Sequence, residues 1–350
     1  MGERTTFVGQ ATSGYPASGQ PVSEQSVPGS PGAGVAAGPA GGAAGGAAPR
    51  RAAGFAGTRA GGLLLTARPR QWIKNLLVVA APAAAGQLTA PDTALQLALV
   101  FALFTAAASS VYLLNDARDA ADDRAHPDKC HRPVAAGVVP VLVAYAAGGV
   151  LAVAATAVAA LLCNAATAAL LASYIVMQIA YCLLLKRVLV VDLAVVTAGF
   201  VMRAMCGGLA LGIPLSRWFL LTAGFGALFM VAAKRYSEAL LMGEGEGGTR
   251  ALLREYTVGY LRFVWQLAAG VAVLAYCLWA LEVRVGSADE GASLCRQLSM
   301  VPLILAVLRY AVFADRGAAG APEDVLLRDR PMAVIALCWG VLYGLSVAGL

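Results

Sequence analysis

TALQLALVFALFTAAASSVYLLNDARDAADDRAHPDKCHRPVAAG, residues 93–137, decides how the rest of the chain is read. Its first half, 93–114, carries no charge. About 20 apolar residues suffice for a helix to cross the hydrocarbon of a bilayer. The second half then places four aspartates and one asparagine within nine residues, 115–123. An uncharged span that runs straight into a dense acidic turn predicts a membrane helix with a polar working end.

Working outward, apolar segments alternate with short polar ones on both sides. Nine candidate spans emerge, at about 73–90, 93–114, 138–160, 164–185, 188–211, 217–233, 260–282, 295–314 and 332–349. The composition agrees: the 350 residues are 59% hydrophobic and 13% charged, against about 25% charged in an ordinary soluble domain. The fold class expected is therefore all-α, a polytopic membrane bundle of about nine helices. Residues 1–62 are expected to be a disordered Gly/Ala/Pro-rich tail, because GAGVAAGPAGGAAGGAAP offers too little apolar surface to offset ordering entropy. Residues 63–350 form the membrane-embedded domain.

Charge placement supports the count and orients it. Positive side chains collect in cytoplasmic loops. With the N-terminus inside, segments 1–74, 115–137, 186–187, 234–262 and 309–331 hold all but Arg203, Arg217, Arg284 and Arg296 of the 26 lysines and arginines. The tail lacks a signal peptide's basic start and apolar core, so a cytoplasmic N-terminus in the plasma membrane is expected. The net charge of +6 comes from residues scattered over these loops, which excludes a nucleic-acid surface. No cysteines form a CxxC pair, and His126 and His131 are the two histidines. Structural zinc is therefore not expected. The cysteines read as small hydrophobes.

The acidic turn carries the chemistry. Asn115, Asp119 and Asp123 recur at i, i+4 and i+8. On a helix of 3.6 residues per turn they drift only about 40° per step, so they share a face. Asp116 flanks that face. A row of carboxylates repels itself unless a cation sits among them. Hard oxygen donors suit Mg²⁺, which binds through few carboxylates together with substrate phosphates. The expected metal ligands are Asn115, Asp116, Asp119 and Asp123. Pro127 breaks the helix, and Lys129 and Arg132 follow in a loop that can fold back toward phosphate oxygens.

Other polar residues stand out against the apolar background. Arg68, Arg70, Lys74 and Asn75 precede or open the first span. Asp192 and Arg203 lie three turns apart inside an apolar run. Ionisable groups in membranes are costly and face a cavity or a partner, which leaves two readings: a structural ion pair or a polar cavity wall. Lys186 and Arg187 can snorkel to the interface. Trp72, Trp218, Trp265, Trp279 and Trp339 read as interfacial anchors.

The pattern NxxxDxxxD at Asn115, Asp119 and Asp123 resembles the first aspartate-rich motif of the UbiA superfamily of membrane prenyltransferases. The fuller string NDxxDxxxDxxHPxKxxRPxAxG is similar to the superfamily's decaprenyl-phosphate phosphoribosyltransferase branch. RPRQWIKN at 68–75, LKRVLVVDLAVVTAGFVMRAMCGG at 185–208, KRYSE at 234–238 and PEDVLLRDR at 322–330 resemble it too. The resemblance covers about residues 66–350. Superfamily prenyltransferases carry a second DxxxD-type motif in the loop matching 234–259. Here that loop has no aspartate and offers Lys234, Arg235, Tyr236, Glu238, Glu244 and Glu246.

What the resemblance implies is an Mg²⁺-dependent transfer of 5-phosphoribose from phosphoribosyl diphosphate to a polyprenyl phosphate, feeding cell-wall arabinan. Substrate contacts are expected from Arg68, Lys74, Asn75, Lys129, Arg132, Lys186, Arg203, Lys234, Arg235, Tyr236 and Glu238. Asp123 or Asp192 would ease charge at the ribose C1. A homo-oligomer is compatible with the pattern. Two alternatives stay open: a prenyltransferase with an isoprenoid diphosphate donor, and a membrane transporter.

Overall fold

The computed structural model describes residues 57–89, 91–241, 255–282, 290–320, 325 and 328–349. Among them the chain is helical, with no strand. The expected tail, residues 1–56, lies outside the described residues, as do Glu244 and Glu246. The expected boundary at 62/63 falls inside a helix, α1 (Arg59–Thr66), whose N-cap Thr58 hydroxyl accepts the Gly61 N–H at 3.1 Å.

Eight helical stretches are long and apolar enough to cross a membrane. They are α3 (Thr93–Arg118), α5 (Val141–Leu162), α6 (Ala165–Leu183), α7 (Val191–Ala210), α8 (Arg217–Leu241), α9 (Val258–Leu281), the consecutive pair α10 (Glu290–Leu298) and α11 (Met300–Asp315), and α12 (Arg330–Ala348). A short α4 (Ala120–Ala125) follows α3 directly.

The candidate span at 73–90 takes a different form. It is a 3₁₀ helix, Pro69–Val79, running into a single α-turn, α2 (Ala80–Ala84). A 3₁₀ helix rises about 2.0 Å per residue against about 1.5 Å for an α-helix. The sixteen residues Pro69–Ala84 thereby reach ~30 Å, the thickness of the hydrocarbon layer. Its far end meets the far end of α12, where the Tyr343 hydroxyl donates to the Ala84 carbonyl at 3.2 Å. Its length thus matches that of a ninth span.

Small residues set the packing. In lipid, helices associate by close contact rather than by the hydrophobic effect. A Cβ at Gly148 would lie 2.9 Å from Leu114 Cγ and 3.1 Å from the Ser110 carbonyl, so α5 lies tight on α3. A Cβ at Gly207 would collide with the Val78 carbonyl oxygen. The 3₁₀ helix and α7 therefore meet backbone to backbone. α3 is the centre of the bundle, with 61% of its apolar window inside, whereas α12 has 6% and lies on the rim. Two apolar clusters share α7: Cys206 packs with α3, α5 and α6, and Leu193 packs with α8, α9 and α11.

Two expectations are corrected. The span expected at 217–233 continues to Leu241, so Lys234, Arg235, Tyr236 and Glu238 occupy helix rather than loop. Leu and Ala after them are good helix formers, and nothing there breaks the turn. Trp265 is no interfacial anchor. It is buried beside Phe229 and Tyr236, with ring centroids 6.0 and 6.2 Å away.

At the α12 start, Asp329 accepts the Met332 N–H at 2.9 Å as an N-cap and receives two hydrogen bonds from Arg309. The guanidinium holds this carboxyl below its usual pKa.

Replacing Gly207 by alanine is expected to destabilise the protein by about 1–3 kcal/mol, because carbonyl backbone cannot move aside as a side chain can. Gly149→Ala in α5, which meets open space, is expected to stay within about 1 kcal/mol of wild type. Thermal unfolding in detergent compares the two. Equal midpoints would contradict the backbone contact.

Candidate active site

The site is built around the α3–α4 junction. The helical register survives the junction, since the Asp119 N–H donates to the Asn115 carbonyl at 2.9 Å and the Asp123 N–H to the Asp119 carbonyl at 2.8 Å. The backbone keeps the expected i, i+4, i+8 spacing, but the side chains divide between two directions, Asp123 toward Arg132 and Asp119 toward Lys186. Asp116 and Asp123 are buried, with 2% and 4% exposure. Buried carboxylates require partners, and here they are arginines. Arg68 Nη2 lies 2.9 Å from Asp116 Oδ1. Arg132 Nη1 lies 3.3 Å from Asp116 Oδ1 and 2.8 Å from Asp123 Oδ2. One guanidinium nitrogen thus marks a point on which two carboxylates converge.

The loop after α4 brings Arg132 there. Pro127 and Pro133 flank a single 3₁₀ turn, Lys129–His131. Arg124 Nε donates to the Ala135 carbonyl at 3.1 Å and fastens the returning strand of loop. Lys129 is half-buried on this turn and makes no ion pair among the described residues. Arg68 arrives from the other side. It takes a left-handed backbone, φ 56, just before Pro69, and its guanidinium sits 4.7 Å over the Tyr112 ring. A residue in this region is strained by about 1–3 kcal/mol, a cost met where surrounding contacts fix the conformation.

Asp119 and Asn115 face the end of α6 instead. Lys186 Nζ approaches Asp119 at 3.9 Å. Asn115 lines a cavity of about 170 Å³ with Val111, Leu114, Tyr145 and Ile179. Arg118 stands at its edge and donates to the Cys182 carbonyl at 3.1 Å.

A second charged cluster forms where the α6–α7 connection meets α8. The Tyr181 hydroxyl donates to Asp192 Oδ1 at 2.6 Å, and Arg235 Nη2 lies 3.2 Å from Asp192 Oδ2. Glu238 joins at 3.4 Å from Arg235 and 4.0 Å from Lys234. Tyr236 turns away from this cluster. It is fully buried, and its hydroxyl accepts from Arg262 Nε at 3.1 Å. The Asp192 turn is itself strained: Val190 has φ 68 and ψ −45.

Arg203 stands apart from both clusters. Its guanidinium donates to Asn75 Oδ1 at 3.0 Å, to the Gly199 carbonyl at 2.9 Å and to the Tyr174 hydroxyl at 2.8 Å. Asn75 in turn donates to Thr105 Oγ1 at 3.0 Å. The structure therefore takes Asp192 and Arg203 to different partners, not to each other. Asn75 is turned inward at 1% exposure and is committed to Arg203, while Lys74 is half-buried on the neighbouring position. Tyr181, Tyr174 and Arg118 carried no sequence signal. Each is a single polar tip in or beside an apolar run, and only the packing shows what it meets.

Among the described residues no three carboxylate, imidazole or thiolate groups gather closely enough to hold a metal by themselves. The donor chemistry nevertheless fits Mg²⁺, which uses one or two carboxylates and completes its octahedron with water and phosphate oxygens. Asp116 and Asp123 supply two hard oxygens around one point that a cationic group already occupies. The cluster thus sets carboxylates among the cationic side chains of Arg68, Arg132 and Lys186.

A family description, UbiA prenyltransferase family, matches residues 76–287. The decaprenyl-phosphate phosphoribosyltransferase of Mycolicibacterium smegmatis is 46% identical over 286 residues, 79% of this chain and 90% of that protein. The enzyme of the same name from Mycobacterium tuberculosis is 46% identical over 291 residues, 82% of this chain and 94% of that one. Among solved structures, a UbiA homolog from Archaeoglobus fulgidus bound to GPP and Mg²⁺ superposes with a TM-score of 0.60 at 16% identity, covering 83% of this chain and all of that one. The last likeness concerns the fold.

Asp192→Ala is expected to cost about 3 kcal/mol, since it leaves the buried Arg235 guanidinium with Glu238 as its remaining carboxylate. Asp192→Asn keeps an acceptor for Tyr181 and should cost less. Thermal unfolding in detergent at neutral pH measures both. Identical losses would show that the negative charge is not what Arg235 requires.

Proposed function

The chain belongs to the UbiA prenyltransferase family, and from that premise we propose that it transfers 5-phosphoribose from phosphoribosyl diphosphate to a polyprenyl phosphate. It acts as a decaprenyl-phosphate phosphoribosyltransferase, the activity named for relatives that it matches at 46% identity over most of their length. The observation that carries the reading is the convergence of Asp116 and Asp123 on one cation position, ringed by arginines. Such a ring suits a substrate that brings diphosphate and its own divalent ion.

In the reaction the lipid phosphate oxygen bonds to the ribose C1, and the bond from C1 to the diphosphate oxygen breaks. The acceptor phosphate has a second pKa of about 6, so it is already an anion near neutral pH and needs no strong base. Asp116 and Asp123, with water and phosphate oxygens, would hold Mg²⁺, which when bound neutralises the departing diphosphate; Asn115 and Asp119, expected as ligands too, turn toward the end of α6. Arg68, Arg132, Lys129 and Lys186 bind phosphate oxygens left over. Lys234 and Arg235 replace the second aspartate motif of prenyl transferases and hold the other phosphate-bearing partner in line, so that orientation lowers the barrier. Positive charge developing at C1 is eased by Asp123 or Asp192. Arg203, Asn75 and Tyr174 form the polar floor beneath.

The working end faces the cytoplasm, where phosphoribosyl diphosphate is met, and the bundle lies in the plasma membrane. The basic segments at this end of the helices support that orientation. The product would supply arabinose for cell-wall arabinan.

Asp123→Asn is expected to lower transfer at least 100-fold while the protein still elutes as a folded species in detergent. The assay adds labelled phosphoribosyl diphosphate, polyprenyl phosphate and Mg²⁺ to purified protein and extracts the lipid. Label in the wild-type lipid phase supports the reading. No label there, with turnover instead of an isoprenoid diphosphate, would establish prenyl transfer in its place.

A further inference from the structure

We infer that Tyr256 is a positioning residue: its hydroxyl holds a strained turn at Val190 and thereby sets Asp192 against Arg235. The inference rests on the reading that Asp192 belongs to the substrate site.

The turn is a γ-turn with a left-handed centre. The Val191 N–H donates to the Leu189 carbonyl at 2.7 Å, and Val190 between them has φ 68 and ψ −45. This form of γ-turn is rare and strained. A β-branched residue is the least suited to it, because its Cβ crowds the backbone at positive φ. The Val190 side chain is 55% exposed. Packing of that side chain therefore does not explain the conformation. Something must hold the backbone itself.

The Tyr256 hydroxyl does so. It accepts the Val190 N–H at 2.7 Å. Tyr256 comes from another part of the chain, directly before Thr257, the N-cap of α9. Its ring is 6% exposed and stacks on Tyr260, with centroids 5.8 Å apart and planes 12° off parallel. It packs in the same apolar cluster as Leu193 and Tyr236. The hydroxyl is thus delivered by a fixed ring rather than by a mobile tip.

What the turn controls is the entry of α7. The Asp192 N–H donates to the Val188 carbonyl at 3.0 Å and the Ala194 N–H to the Val190 carbonyl at 3.0 Å. Both bonds depend on where the turn places its carbonyls. Asp192 is the second residue of α7, and its carboxylate reaches Tyr181 and Arg235 from that position. If the Tyr256 hydroxyl were lost, Val190 would relax toward negative φ, α7 would start differently, and Asp192 would leave its partners. A glycine at position 190 takes positive φ at no steric cost and would keep the turn without the hydroxyl. Strain and restraint are therefore separable by mutation.

The test uses the full-length protein in detergent and three variants: Tyr256→Phe, Val190→Gly and the two combined. Tyr256→Phe is expected to lower kcat about tenfold with KM for the donor within twofold. It should also raise hydrogen exchange at the Val190 and Val191 amides. The double variant is expected to recover kcat to within threefold of wild type and to restore slow exchange at residue 191. Turnover and exchange of Tyr256→Phe both within twofold of wild type would overturn the proposal. So would a loss that Val190→Gly does not repair, since the hydroxyl would then act elsewhere. Asp192→Asn is assayed in parallel. Full turnover by that variant would remove Asp192 from the site, while the exchange data would still report whether Tyr256 holds the turn.

Discussion

One buried carboxylate, Asp116, joins three remote parts of the chain. Arg68 reaches it from the start of the 3₁₀ helix and Arg132 from the loop after α4, while Asp116 itself ends the central helix. Two cations around one anion leave local positive charge, and Asp123 supplies the second anion through Arg132. Burial makes each of these partners obligatory, because a lone charge at this depth would cost several kcal/mol. The acidic turn, the returning loop and the entry to the 3₁₀ helix consequently hold one another in place.

The bundle treats charge in two ways. At the working end, charges meet charges: Asp116, Asp119, Asp123 and Asp192 each have a basic neighbour. Deeper in, Arg203 meets neutral acceptors and the faces of Phe104, Tyr174 and Phe200, all within 5.4 Å of its guanidinium carbon. Aromatic faces and carbonyls solvate a guanidinium without cancelling its charge. Arg203 therefore keeps its positive charge without a carboxylate partner among the described residues, while the aspartates of the two clusters are each paired.

Much of this was legible beforehand. Span lengths come from the physical thickness of the bilayer, and among the described residues eight of the nine stretches are apolar and helical, seven of them near their expected limits. The backbone spacing of the aspartates was legible because a helix has a fixed period of 3.6 residues, but the different partners of Asp119 and Asp123 were not. What could not be read depended on partners far along the chain. KRYSE looked like loop because its charges mark the end of a hydropathic run, yet no residue there breaks a helix. Asn75 looked like a phosphate ligand, but a residue at position 203, 128 places onward, claims it. Tyr181 and Tyr256 are ordinary aromatics in the string and acquire roles only beside Asp192 and Val190. The 3₁₀ form of Pro69–Val79 goes with the close contact of Gly207 and the Val78 carbonyl, which local propensity does not encode.

That contact bears on how the protein is assembled in the cell. Pro69–Ala84 carries Arg70, Lys74 and Asn75 and offers little apolar length for partitioning into lipid by itself. Its fixed partners lie on α3 and on α7, the latter more than a hundred residues later in the chain. The contacts that fix Pro69–Ala84 are therefore complete only once residue 207 has been made.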